Sequence, residues 1–313
     1  MDKRYDSILL AMSNPKQQLS LTTVLVKLIG FPLTLVLVFT GCGLQKLVGQ
    51  PISDRAHCPF NGMELTLQIQ PPTKASGITP ELSDAVKNIL KQRISGLGIR
   101  GAAIQTINQE QLLIQLPDEK DAQQAERVLG GIGELDFRQQ KSGTETQLPI
   151  ELQVREGLLQ KQNELRKTGD AKALAENQQA LDRSQEAIAN LFERTDLSGK
   201  NLKDSNPQPT PDSSRWEITL RFDDIGEKAF AQLTKDLAGT GRAIGVFLDN
   251  SLISSPVVGQ EYAQTGITGG SAVITGNFTL QSAQELAIQL RSGALPAPLK
   301  VLSNRRVNNN RCP

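Results

Sequence analysis

The sequence predicts an α+β protein, and three stretches carry that prediction. Between Gly62 and Gln140 the signals run strand, helix, strand, strand, helix, strand, the split βαβ pattern of ferredoxin-like folds. From Pro149 to Glu193 strand signals stop and Gln, Glu, Lys, Ala and Leu take over, which predicts a helical hairpin insertion. From residue 194 to 284 strands and helices alternate again, enough for a second α+β core.

In the first unit, residues 62–140, MELTLQIQ alternates apolar and polar residues as a half-wetted strand does, and PPTKASG breaks it. In ITPELSDAVKNILKQRISGLG, Thr79 is the expected cap and Pro80 takes the first helical position. Leu82, Val86, Ile89, Leu90 and Ile94 fall at helical spacing before Gly96 and Gly98 stop the helix. AAIQTI and QLLIQLP read as two strands across NQE. DEKDAQQAERVLGGIG reads as a helix with an acidic start, and ELDFRQ as the last strand of the same sheet. Both helices then cover one face, leaving the other free to pack on a neighbour.

In the hairpin, residues 149–193, the turn is KTGD at Lys167 to Asp170. Leu174, Leu181 and Ile188 recur at seven-residue spacing opposite Leu158, Leu159 and Leu165, and the charges read as a solvated surface. SGKNLKDSNPQPTPDSSR is the expected loop or linker. Beyond it WEITLRF is a strand and DDIGEKAFAQLTKDLAG a helix capped by its Asp223-Asp224 pair. AIGVFLDNSLISSPVV holds two strands around an Asp249-Asn250 turn, GGSAVITG is a strand, and TLQSAQELAIQLRSG is a helix stopped by Gly293. Residues 285–307 are expected to return to the first unit, 308–313 form a divergent tail, and glycines near Gly143 and Gly293 mark the expected joints.

Leu21 to Leu44 is apolar and acid-free, interrupted by Lys27. Its 24 residues would rise ~36 Å as a helix, enough to cross a hydrocarbon core of ~30 Å. Lys3, Arg4, Lys16 and Lys27 precede its apolar core, which predicts a cytoplasmic 1–20, a transmembrane or signal helix over 21–44, a linker over 45–61, and the rest of the chain outside. The competing reading is a buried core helix. VFTGCG places Cys42 after small residues, so two anchors stay open: lipidation at Cys42, or an uncleaved signal helix. Cys58 and Cys312 could pair in an oxidising compartment, but three scattered cysteines make no framework.

The chemistry search excludes more than it finds. His57 is the sole histidine, so a histidine-based triad or multi-histidine metal site is not expected, nor is any cofactor or enzymatic activity. GTGRAIG, Gly239 to Gly245, closes a helix and opens a strand, the reverse of a phosphate loop. A net charge of +1, 4% aromatic residues and a single tryptophan, Trp216, argue against nucleic acid.

The segments LKQRISGLGI, IQLPDEKDAQQAERVLGGIGELDFR, ISSPVV and GITGGSAVITGNFTLQSAQELAIQLRSGALPAPLKVL resemble, together and in order, the SecD family of protein-export membrane subunits. The resemblance covers roughly Leu65 to Val307 outside most of the hairpin. It implies a large periplasmic domain on the plasma (inner) membrane, with a ferredoxin-like base and an inserted head that engages unfolded translocating preprotein. The implied partners are a SecF-like subunit and the SecY/SecE/SecG channel. Apolar head surface is the expected contact, with Ile253, Pro256, Val257 and Phe278 as candidate substrate-binding residues; at each, packing in the head's core is the competing role. The family continues towards further membrane helices where this sequence reads NNNRCP, and PFNGMEL replaces its glycine-rich first loop, so proton-driven work is not expected of this chain alone. Two alternatives accompany this reading: an anchored structural or binding protein that kept the fold, or a truncated non-functional product.

Overall fold

The computed structural model describes residues 61–71, 77–117, 122–212 and 214–308. The expected span at 21–44, His57 and all three cysteines lie outside them. Among the described residues no helix is long and apolar enough to cross a membrane.

The base is built from β1 (Asn61–Ile69), α1 (Pro80–Gly96), β2 (Ala103–Asn108), β3 (Gln111–Pro117), α2 (Ala122–Gly130) and the C-terminal β11 (Leu299–Asn308). Thr79 Oγ1 accepts from Leu82 N and Pro80 opens α1, as the sequence implied. The antiparallel strand order is β11-β1-β3-β2. Leu65, Leu67, Ile69, Leu112, Ile114 and Leu116 project from it under α1 and α2 to make one core with Val86, Leu90, Ile94 and Leu129. Each such side chain contributes ~1.5–3 kcal/mol on burial.

One expectation is overturned here. ELDFRQ forms β4 (Leu135–Gln140), but β4 is not the base's fourth strand; it lies in the head, between its partners β5 (Phe192–Ser198) and β8 (Ile244–Leu248). The reason is burial on both faces. Leu135 and Phe137 enter the main head core, while Asp136 and Arg138 pair on the other side with the Arg138 guanidinium 3.9 Å from the Phe247 ring. Such a strand needs a central position, whereas β11, with Leu299 and Val301 inward and Ser303 and Arg305 exposed, suits the edge beside β1.

The head holds two sheets. In the first, β5-β4-β8-β9, β9 spans Ser251–Ser254. The second has the order β10-β7-β6, with β6 (Leu202–Pro209), β7 (Trp216–Phe222) and β10 (Ser271–Phe278). The segment read as a loop or linker is therefore partly the edge strand β6, where Pro207 and Pro209 withhold no ladder bond from a third strand. β8 and β9 are joined at Asp249 and Asn250, with φ of 50° and 63°, the left-handed pair of a tight hairpin turn. α5 (Asp224–Leu237) is capped by Asp223, whose Oδ1 accepts from Gly226 N at 2.7 Å.

From β4 the chain rises into α3 (Gln147–Thr168) and α4 (Ala171–Asn190), packed as an antiparallel pair. Ile188 is buried and Leu174 and Leu181 half-buried, but the intervening positions Asn177, which faces Gln162 across the pair, and Ser184 are buried and polar. Leu159, expected in the seam, is exposed.

α6 (Leu280–Ser292) ties head to base. Ala283, Leu286 and Leu290 lie in the head core, while Ile288 presses on Gly96 of α1 so closely that a Cβ there would sit 2.8 Å from it.

Candidate functional site on the head and its joint to the base

At the root of the hairpin, Leu148, Pro149, Leu152 and Gln153 of α3 face Gly241, Ala243, Ser255 and Val257 across an open groove of about 490 Å³. α3 is held there because Leu148 is buried with Phe192, Phe247 and Ile188, and because Arg155, three residues after Leu152, donates to Leu252 O of β9 at 2.9 Å. Burial lowers the Arg155 pKa. Gln140 and Glu145 complete the rim. The Gln140 side chain is spent on structure: Nε2 donates to Thr144 O and Oε1 accepts from Ala243 N. The result is an apolar floor with a polar rim and no reactive group, suited to holding apolar side chains.

Of the four residues singled out in the sequence, Val257 lies in this groove and is 51% exposed, held by one bridge to Ala243. Ile253 on β9 and Phe278 on β10 are half-buried against the head core, Phe278 cross-strand from Trp216. Pro256 is half-buried and its carbonyl accepts from Ile244 N at 2.8 Å. Leu148, Leu152 and Arg155 went unread in the sequence, although their spacing marks one face of α3.

The joint between head and base is organised by Arg93, in the last turn of α1 and fully buried. Nη1 donates to Val128 O at 3.0 Å, to Leu129 O at 3.4 Å and to Gly131 O; Nη2 donates to Ile132 O at 2.8 Å and Gly293 O at 3.3 Å; Nε donates to Ser292 Oγ at 3.2 Å. Gly133, at φ +78°, leaves room for this, since a Cβ there would lie 2.8 Å from Nη2. Desolvation lowers the Arg93 pKa to about 10, so the group stays charged. Close by, Arg127 of α2 forms a bidentate pair with Glu285 of α6, and Leu295 N donates to Ile132 O. Gly293 is thus at the joint, as expected; Gly143 is not, because it turns the chain from β4 to α3 within the head.

Among the described residues no cluster of metal-ligating side chains occurs. Asp223 is spent as a cap and Asp224 pairs with Lys203 at the surface. GTGRAIG ends α5 and turns into β8, with Gly239 and Gly241 at positive φ.

Two family descriptions match the chain: "SecDF, P1 head subdomain" over residues 173–297, and "Protein translocase subunit SecDF, P1 domain, N-terminal" over residues 83–142. Residues 143–172, which include α3, fall between them. The protein translocase subunit SecD of a Synechocystis species is 45% identical over 250 residues, 79% of this chain and 53% of that one. That of Prochlorococcus marinus is 35% identical over 274 residues, 79% of this chain and 56% of that one. The chain therefore spans about half the length of these relatives. Among solved structures, SecDF in its super-membrane-facing form is 25% identical with a TM-score of 0.58, covering 82% of this chain and 32% of that one. A SecDF structure described as a membrane component that enhances protein export is 26% identical with a TM-score of 0.55, covering 78% of this chain and all of the other. Sequence and fold agree, and the chain belongs to the SecD family of protein translocase subunits.

Proposed function

We propose that this chain is an accessory component of the Sec protein translocase, binding unfolded, translocating preprotein on the extracytoplasmic side of the membrane. The apolar stretch 21–44 anchors it in the plasma (inner) membrane, and a ferredoxin-like base carries the head. A SecF-like subunit and the SecY/SecE/SecG channel are its partners. The reading rests on family membership, and the apolar groove in which Val257 stands half-exposed supports it as the place of binding. An extended chain in transit has no tertiary core of its own, so a groove with an apolar floor and a polar rim accepts its side chains without demanding a sequence. Ile253 and Phe278 take the packing role, half-buried against the head core, and the Pro256 carbonyl ties the segment before Val257 to Ile244 N. No covalent chemistry is assigned to the described residues.

The test is a photo-crosslinking amino acid at position 257 of the full chain, in cells exporting a stalled secretory protein. An adduct with the stalled chain is expected at 257, and none from Lys235, on the exposed end of α5. Equal or absent capture at both positions argues against the groove as the binding site.

A further inference from the structure

The groove has a backbone edge as well as an apolar floor. β9 ends at Ser254, but the chain runs on antiparallel to Ala243 and Ile244. Ile244 N donates to Pro256 O at 2.8 Å, and Val257 bridges Ala243. In an antiparallel ladder hydrogen-bonded and non-hydrogen-bonded pairs alternate. Pro256 with Ile244 is of the first kind, so Val257 with Ala243 is of the second, and the Val257 N–H and C=O point away from β8. Those of Ser255, two residues back along the strand, point the same way. Neither residue's backbone takes a hydrogen bond among the described residues.

Ser255 and Val257 both line the groove and neither is buried. Pro256 between them turns its ring nitrogen towards β8, so the proline removes no donor from the outward edge. Within β9 the Leu252 carbonyl is already taken by Arg155 Nη1 of α3; Ser255 and Val257 have no such cover. What they offer is an N–H and a C=O repeated about 6.6 Å further along, the two-residue repeat of a strand. A helix satisfies its own peptide groups internally, whereas a second extended chain presents donors and acceptors at this same repeat.

We propose that unfolded polypeptide binds the head by adding as a strand along the Ser255–Val257 edge. Every second side chain then falls on the face of the sheet that carries Val257 and Ala243, which is the face of the groove. The inference rests on the reading that the groove holds preprotein, and it supplies the mode of recognition. Peptide groups, which every sequence carries, give the affinity, and the groove asks only for apolar side chains at alternate positions. Extended chain is taken, and chain already coiled into a helix is not.

The probe is a short fluorescent peptide in which valine and serine alternate, titrated by anisotropy into the full chain in detergent. Its alternation fixes its register against a groove with an apolar floor. Two derivatives carry N-methyl groups, one on the valine amides and the other on the serine amides, with side chains unchanged. One set of amides faces the edge and the other faces away. One derivative is therefore expected to bind about tenfold more weakly than the parent, and the other within about twofold of it. Derivatives that bind equally, whether as tightly as the parent or both more weakly, overturn strand addition. Val257→Asp separates this proposal from the reading beneath it. If Val257→Asp weakens the parent peptide and the two derivatives still bind alike, the groove stands and the strand falls. A parent peptide that does not bind, or that binds Val257→Asp equally well, overturns both.

Discussion

Asp212 carries the sharpest electrostatic signature at the level of single residues. Thr210 Oγ1 and the Ser214 hydroxyl and amide all donate to it, holding its pKa at about 2 against an ordinary 3.8. A depressed carboxylate stabilises its surroundings fully above the ordinary value and loses that contribution as the pH falls through the lowered one. The turn between β6 and β7 should thus keep this contribution at pH 4 and lose it towards pH 2, while the bonds between Thr210 and Arg215 remain. The side-chain carboxyl carbon of Asp212, followed by NMR, should titrate with a midpoint near 2, and a midpoint near 3.8 would show that the three donors are not engaged. Local features of this kind are legible in sequence, as Thr79 and Asp223 show, because a cap and its amide lie three residues apart. Arg93 was not legible. Its acceptors lie 35 to 200 residues away, and in sequence it is one basic residue at the end of a helix.

Among the elements, the hairpin is the one whose outline and energetics diverge. Its heptad spacing predicts two packed helices, which the structure has, but the pattern of leucines says nothing of the polar residues between them. Asn177 Nδ2 donates to Leu158 O and Gln162 Oε1, while Asn177 Oδ1 and Ser184 Oγ are buried without partners. Buried polar groups of this type fix register at a cost in stability. The double variant Gln162→Leu, Asn177→Leu should raise the unfolding free energy by about 1–2 kcal/mol, read by urea denaturation, because it removes an incomplete polar network as a unit. A fall in stability would mean that the network contributes more than its orphan oxygen suggests. The strands that escaped sequence reading share a physical reason: β5, β6 and β11 are edge strands of polar composition, and β6 contains two prolines, so none shows the alternation that marked β1, β3 and β7.

For the molecule as a whole, the base and head are two cores threaded by one chain, and the order of elements cannot say which strand closes which sheet. ELDFRQ follows the split βαβ pattern in sequence, yet the place beside β1 goes to β11, more than 150 residues later, because β4 has two faces to bury. The position of Val257 was legible only as an apolar residue in a family segment. The groove around it depends on α3, which comes from the 143–172 interval between the two family matches. The claim that this groove holds unfolded polypeptide is tested most directly by titrating the full chain, in detergent, into a fluorescent, unstructured apolar peptide and comparing it with Val257→Asp. Since Val257 is half-exposed, the charge should leave thermal unfolding within a few degrees of the parent while weakening peptide binding about tenfold. Equal affinity in the two proteins, at equal stability, would contradict preprotein binding at this groove.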